Sequence, residues 1–199
     1  SKLPELAALI GAAPWVQCAE YADAGAVSCV GSNDVDASQH AVSQLADGGR
    51  GRIAMINHDL SYKYARLRER GYKSVIHLKD LAYQAVEYAS DLSFGAGMAA
   101  MQNLLKENPP DAVFAVSDTL AAGALHAIQQ AGLRVPEDIA VVGFDGTELA
   151  EMISLTTIEQ PSRDIGRKAV DLLLNKIDNP DAPTERVMMD WRYISRASA

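Results

Sequence analysis

The sequence predicts an α/β fold built on parallel sheet, and three observations carry that prediction. Short apolar runs such as Ile139-Ala140-Val141-Val142 and Ala112-Val113-Phe114-Ala115-Val116 are too brief for helices and are bounded by turn residues, as expected of strands covered on both faces. They alternate, about seven times, with longer segments whose apolar residues recur at helical spacing. Polar residues stand where the strands stop: Glu20, Asn33, Asp91, Ser117 and Asp145. In a parallel sheet those ends share one rim, the side on which open α/β sheets bind ligands.

In chain order, residues 3–10 predict a short helix with Pro4 in its first turn and Gly11 closing it. Residues 14–19 and 26–30 read as strands, the first ending at Glu20-Tyr21 and the second at Gly31-Ser32-Asn33. Residues 34–45 carry Val35, Ala41, Val42 and Leu45 on one helical stripe, with Asp34 or Asp36 at the end where the helix dipole favours negative charge. Residues 52–57 form the next strand and residues 62–78 the next helix. Tyr64 and Arg68, four apart, share a face near the strand end, whereas Arg66, Arg68 and Arg70 with Glu69 also fit a solvated charged face.

Residues 85–89 read as a strand and 94–105 as a helix with Met98, Met101, Leu104 and Leu105 at core spacing. The strand at 112–116 runs into Ser117-Asp118-Thr119, where Ser117 or Asp118 caps a helix over 120–131. Small residues in that helix, Ala121, Ala122, Gly123 and Ala124, permit close approach to the sheet. Residues 132–148 are the most strongly punctuated: Gly132 suits the left-handed position after a helix, Val135-Pro136 forces an extended approach, and Pro136-Glu137-Asp138 makes a polar turn. The strand that follows stops at Gly143-Phe144-Asp145-Gly146, leaving Asp145 either as a turn cap or as a ligand contact. Residues 147–154 read as a loop or short helical turn and 155–161 as extended. Residues 162–177 form an amphipathic helix with Ile165, Ala169, Leu172, Leu173 and Ile177 buried, and residues 186–194 a single closing strand with Trp191 and Tyr193 for packing.

Composition narrows the function classes. The 199 residues are 48% hydrophobic and 22% charged, with a formal net charge of −8 and no Lys/Arg cluster. This argues against the chain itself gripping a phosphate backbone. Cys18 and Cys29 lack CxxC spacing and fit free thiols in a reducing compartment, so a cytoplasmic location is expected. No signal sequence and no membrane-spanning apolar run is present. His40, His58, His77 and His126 are scattered, and there is no glycine-rich phosphate loop and no GxSxG elbow. No metal and no cofactor are therefore expected. Enzymatic chemistry is reduced to Asp118 or Asp145 as a base, a remote alternative to a non-enzymatic binding protein.

Longer stretches carry a resemblance. Residues 109–118 (PPDAVFAVSD), 119–125 (TLAAGAL), 132–148 (GLRVPEDIAVVGFDGTE) and 155–174 (LTTIEQPSRDIGRKAVDLLL) resemble the effector-binding core of the lactose/galactose repressor (LacI/GalR) family of bacterial transcription regulators. Residues 65–72 (ARLRERGY) are similar to that family's R-x-x-G-aromatic element, with Arg68 in the arginine position. The resemblance keeps order and spacing over essentially the whole chain. The opening Ser1-Lys2-Leu3-Pro4, the Pro14 strand and Ala19-Glu20-Tyr21 are similar to the cytidine repressor branch.

The resemblance implies a type I periplasmic-binding-protein fold, with two doubly wound parallel-sheet subdomains and a small effector between them: a nucleoside, purine or sugar. It implies that residues 1–33 and 160–189 are the remnant of an incomplete N-terminal subdomain. Residues 34–157 and 190–199 would form the C-terminal subdomain, the DNA-binding headpiece lying outside this chain. Arg68, Asp145 and Glu20 fall on effector-contacting positions, and Ser117, Tyr64 and Gln160 on further ones. Leu92 stands where many members place an aromatic that stacks on the ligand, a departure that removes that stacking partner. Asn33 replaces a frequent Asp, and His58-Asp59 stands where Gly-Pro is usual. The implied whole protein is a homodimer that meets operator DNA through its headpieces, with no membrane partner. An exported solute-binding receptor of the same fold is the alternative.

Overall fold

Every residue of β3 (Ile53–Asn57) and β5 (Ala112–Ala115) is buried, so the sheet they belong to is covered on both faces. The computed structural model describes residues 8–11, 13–21 and 27–199. The chain divides into two units, one of Ser1–Asn33 with Pro161–Asp190 and one of Asp34–Gln160 with Trp191–Ala199. No helix among the described residues is long and apolar enough to cross a membrane.

The larger unit holds, among the described residues, a six-stranded sheet in the order β4-β3-β5-β6-β7-β9. Its further strands are β4 (Ala85–Tyr88), β6 (Ala140–Asp145), β7 (Thr156–Glu159) and β9 (Arg192–Ile194). All neighbours pair in parallel except β9, which runs antiparallel to β7. Helix α1 (Asp34–Asp47) packs on α2 (Lys63–Leu78), and α3 (Phe94–Glu107) packs on α4 (Asp118–Gln130). A short α5 (Glu148–Met152) follows β6. The core between these layers is built on Ile53, Met55, Ile56, Tyr72, Phe114, Leu120, Ile128, Phe144 and Ile158. β4 is added on one side of β3 and β5 on the other, so the order reverses between β3 and β5. Such a reversal leaves a crevice beyond the carboxyl ends of those two strands.

Glycines set the approach of the helix pairs. A Cβ on Gly123 would stand 2.1 Å from the Phe94 carbonyl oxygen, and one on Gly97 2.3 Å from that of Leu120. Gly123 is thus turned toward the neighbouring helix and not toward the sheet. Gly123→Ala is expected to destabilise the protein by roughly 1 to 2 kcal/mol in urea unfolding. Overpacking against rigid backbone, at about 1 to 3 kcal/mol, exceeds the gain of up to about 1 kcal/mol from replacing a helical glycine.

The smaller unit has, among its described residues, a parallel sheet in the order β1-β2-β8, from β1 (Gln17–Cys18), β2 (Cys29–Ser32) and β8 (Arg186–Met189). Helix α6 (Ser162–Asp178) covers it with Ile165, Ala169 and Leu172 against Val30, Val16, Val187 and Met189.

Four expectations need correction. The closing segment is not one strand: it breaks at Asp190-Trp191, giving β8 to the smaller unit and β9 to the larger. Ile177 is exposed rather than on the buried stripe of α6, because the helix overruns the short sheet beneath it. Pairing in the first predicted strand is confined to Gln17–Cys18, and the second begins only at Cys29. The first helix is seen as residues 8–10, with Gly11 at φ +64°; its earlier residues lie outside the described ones.

Candidate functional site

Arg68 is the only sizeable cation placed deep beneath the strand ends among the predicted site residues, 6% exposed on the second turn of α2. Asn57, the last residue of β3, fixes that helix by donating to the Ala65 carbonyl at 3.2 Å and to Glu69 Oε2 at 2.7 Å. Tyr88 at the end of β4 donates to the same Glu69 oxygen at 3.0 Å. The charged face expected for residues 66–70 is therefore split: Arg66 and Arg70 face solvent, while Arg68 and Glu69 are buried.

Three elements hold the Arg68 guanidinium. Its Nε donates to Asp34 Oδ1 at 2.8 Å, on the first turn of α1, and its Nη1 donates to the Val116 carbonyl at 2.6 Å, at the end of β5. Asp145 Oδ1 lies 3.5 Å from Nη1. The guanidinium carbon sits 3.6 Å from the centroid of the Phe144 ring and 5.1 Å from that of Tyr64. A cation over two aromatic rings and beside two carboxylates is thus fixed before any ligand arrives. Its Nη2 makes no hydrogen bond with the described residues.

Asp145 closes β6 with φ at +116°, a conformation uncommon for a residue with a side chain, and Gly146 follows at +72°. Gly146 admits no side chain there, since a Cβ would fall 2.5 Å from the Glu159 Cα. Gln160 Nε2 donates to Asp145 Oδ1 at 2.9 Å, while Oδ2 makes no hydrogen bond with the described residues. Burial pushes the Asp145 carboxyl up to about 6; Arg68 and the Gln160 hydrogen bond work the other way, and the carboxylates of Asp118 and Asp34 add to the rise. Its ionisation accordingly opposes folding. The stability this group contributes is full below the ordinary range near 3.8 and is lost as pH rises through about 6.

Asp118 and Ser117, both weighed as caps, have separate tasks. Ser117 Oγ accepts from the Leu120 amide at 3.2 Å and caps α4. Asp118 is fully buried and accepts from the Thr147 amide and hydroxyl at 2.7 and 2.8 Å and from the Thr157 hydroxyl at 2.6 Å. Three donors on one buried carboxylate tie the β6–α5 turn to β7; they do not leave a base poised for proton transfer.

The structure therefore brings Arg68, Asp145, Tyr64 and Gln160 together on the rim of the larger unit, with Ser117 one residue beyond the Val116 carbonyl that Arg68 holds. Leu92 lies on the β4–α3 loop, 43% exposed. Glu20 follows β1 in the smaller unit, exposed, after Ala19 at φ +63°. Beside it Tyr21 is buried, its ring under the Arg186 guanidinium at 4.7 Å and closely apposed to Gly31. Sequence reasoning assigned Asp34 only to a helix end and missed Phe144. A strand-end Phe directly before Asp145 was the available signal for the second; nothing local pairs Asp34 with an arginine 34 residues away. His58 and Tyr62 were also passed over as site residues, although both fall at the end of β3. Among the described residues no cluster of three His, Cys, Asp or Glu is placed to hold a metal ion.

The periplasmic binding protein-like domain family matches residues 42–199. The ribose operon repressor of Escherichia coli (strain K12) is 38% identical over 163 residues, covering 80% of this chain and 49% of the relative. The HTH-type transcriptional repressor CytR of the same strain is 34% identical over 189 residues, covering 93% and 55%. The chain thus spans about half the length of these relatives. Among solved structures, the regulator CelR in complex with cellobiose superposes with a TM-score of 0.91 at 30% identity, covering 100% of this chain and 62% of that one. A LacI family transcriptional regulator from Enterococcus faecium with bound ribose gives a TM-score of 0.87 at 26% identity, covering 94% and 70%. Parallel-sheet units with a cation and a carboxylate at the strand ends agree with these matches, and the chain belongs to the periplasmic binding protein-like domain family, in its lactose/galactose-repressor (LacI) branch.

Proposed function

We propose that this chain is the effector-sensing part of a transcriptional regulator, and that it binds a small polyol ligand, a sugar or a sugar-bearing nucleoside, at Arg68 and Asp145. The observation that carries the reading is the pair itself. A pre-fixed guanidinium with donor capacity left over stands beside a partly exposed carboxylate with one oxygen unoccupied, both at the point where the strand order reverses. Arg68 would donate to ligand oxygens as a fork and Asp145 would accept from ligand hydroxyls, with Gln160, Tyr64 and Ser117 completing the rim. The ribose in the Enterococcus faecium regulator and the cellobiose in CelR support a ligand of this class.

In this reading the larger unit is the C-terminal effector-binding subdomain and the smaller one the remnant of the N-terminal subdomain, which would contribute Glu20. The whole protein would be a cytoplasmic, non-enzymatic homodimer that meets operator DNA through headpieces outside this chain. Ligand binding would act on DNA affinity only through a difference in affinity for two conformational states.

Calorimetry on the full-length protein with ribose, other sugars, nucleosides and purines tests the reading, and pH adds a sign. A ligand that donates to the Asp145 carboxylate binds the ionised form, so its affinity is expected to be level above about pH 7 and to fall as pH drops through about 6. Well below that value the fall approaches roughly tenfold per pH unit. Binding by none of these compounds, or binding with no change between pH 7.5 and 5, contradicts the reading.

A further inference from the structure

A second feature of the same rim bears on which ligand it takes, provided that Arg68 and Asp145 hold a polyol as proposed. At the carboxyl end of β3, His58, Tyr62 and Tyr64 form a run of ring contacts. His58 and Tyr62 stack with centroids 5.1 Å apart and planes 27° from parallel; Tyr62 and Tyr64 lie 5.7 Å apart; His58 and Tyr64 are nearly parallel, at 10°, with centroids 6.2 Å apart. The run ends at Arg68, over the Tyr64 ring, and through Arg68 at Asp145. Its outer member, Tyr62, is 49% exposed.

The arrangement is fixed in advance. The phenol of Tyr64 and His58 Nδ1 are 2.6 Å apart in a hydrogen bond. The loop carrying Tyr62 is closed by Ser61 N to Asp59 Oδ1 at 2.8 Å and Tyr62 N to the Asp59 carbonyl at 3.1 Å. Arg66 Nη1 clamps it from outside through the Leu60 and Ser61 carbonyls at 2.6 and 2.9 Å. Core packing does not account for a Tyr ring left half in water on a loop braced this way, whereas a binding wall requires both exposure and rigidity. The neighbouring loop offers no competing ring: Leu92 is aliphatic, and Phe94 is turned to His126 at 5.5 Å.

The geometry points to Tyr62, backed by His58, as a ring-stacking wall that makes this site select a two-part ligand: a polyol ring held by Arg68 and Asp145, joined to a flat unsaturated heterocycle lying on Tyr62. A ligand anchored at Arg68 must extend past the Tyr64 ring to reach Tyr62. A ribonucleoside does so, and a free pentose does not. Stacked, electron-rich rings favour a planar base because every base has a π-face to offer.

Calorimetric titration of the full-length protein with ribose, cellobiose and a panel of ribonucleosides, using wild type, Tyr62→Ala, Tyr62→Phe and Asp145→Asn, tests this. The expected result is a nucleoside that binds more tightly than ribose and loses roughly tenfold or more in Tyr62→Ala. Tyr62→Phe should retain it, and ribose affinity should change less than about twofold in either Tyr62 variant. Nucleosides no tighter than ribose, or equal losses for both in Tyr62→Ala, overturn the proposal. Tight cellobiose binding lost in Tyr62→Ala, with no nucleoside bound, overturns it too, since the second ring is then a sugar. If Asp145→Asn weakens every ligand while Tyr62→Ala weakens none, the stacking wall fails and the polyol site stands. If Asp145→Asn weakens nothing, the underlying reading fails first.

Discussion

Arg68→Ala is expected to lower the unfolding free energy by about 3 to 5 kcal/mol and to abolish ligand binding. The size follows from what the side chain leaves behind. Asp34 is buried with its Oδ1 at 2.8 Å from Arg68 Nε, and Asp145 is drawn toward the same guanidinium. Without the cation, two carboxylates face each other's field with no opposing charge beside them, the Val116 carbonyl loses its donor, and the Phe144 ring loses its stacked partner. Lysine is no substitute: it keeps one charge but cannot span Asp34 and Val116 as a planar fork or lie flat on Phe144. Arg68→Lys should therefore recover only part of the loss. Urea unfolding followed by circular dichroism measures both variants, and a change under about 1 kcal/mol for Arg68→Ala shows that the guanidinium is not the electrostatic centre of this rim.

How much of this was legible in the sequence depends on the range of the interactions involved. The strands of the larger sheet were readable because each is a continuous apolar run between turn residues, and burial on both faces leaves no other arrangement for Ile53–Asn57 or Ala112–Ala115. Asp145 was readable for the same reason: the run stops beside it. The division of the last segment into β8 and β9 was not, because residues 186–194 alternate well enough for one strand, and only their pairing with β2 and β7 separates them. The weak pairing of β1 and β2 reflects a sheet of few residues, where local propensity decides little.

The site residues follow the same rule. Tyr64 and Arg68 sharing a face is a local, four-residue fact, and the structure agrees. That Arg68 and its neighbour Glu69 would both be buried is not local. It depends on Asn57 and Tyr88, from two other strands, satisfying Glu69; hydrogen bonds from Lys73, Asn57 and Tyr88 outweigh burial and hold its carboxyl below the ordinary range. Asp118 shows the converse. In sequence it is an acid at a helix start, but its three donors come from Thr147 and Thr157, brought close by β6 and β7. His58 stood out as a departure from the usual Gly-Pro, but only the ring geometry joins it to Tyr62 on a common face.

The central claim is that Asp145 anchors a ligand and does not merely finish a strand. Three facts motivate it: a carboxylate oxygen left open, a positive φ kept for a residue that bears a side chain, and a carboxyl that burial pushes up to about 6. An acid that destabilises the fold at neutral pH is retained for something other than stability. Asp145→Asn keeps the shape and the Gln160 neighbour but removes the charge, so unfolding stability at pH 7.5 should be unchanged or slightly raised. The affinity for the best ligand should fall by about 1.5 to 3 kcal/mol, roughly tenfold to a hundredfold or more, the usual loss for a hydrogen bond to a charged group. Side-by-side calorimetric titration of the full-length wild type and Asp145→Asn is the direct measurement. A loss of that size without loss of stability is the predicted result; an affinity within about twofold of wild type contradicts the claim.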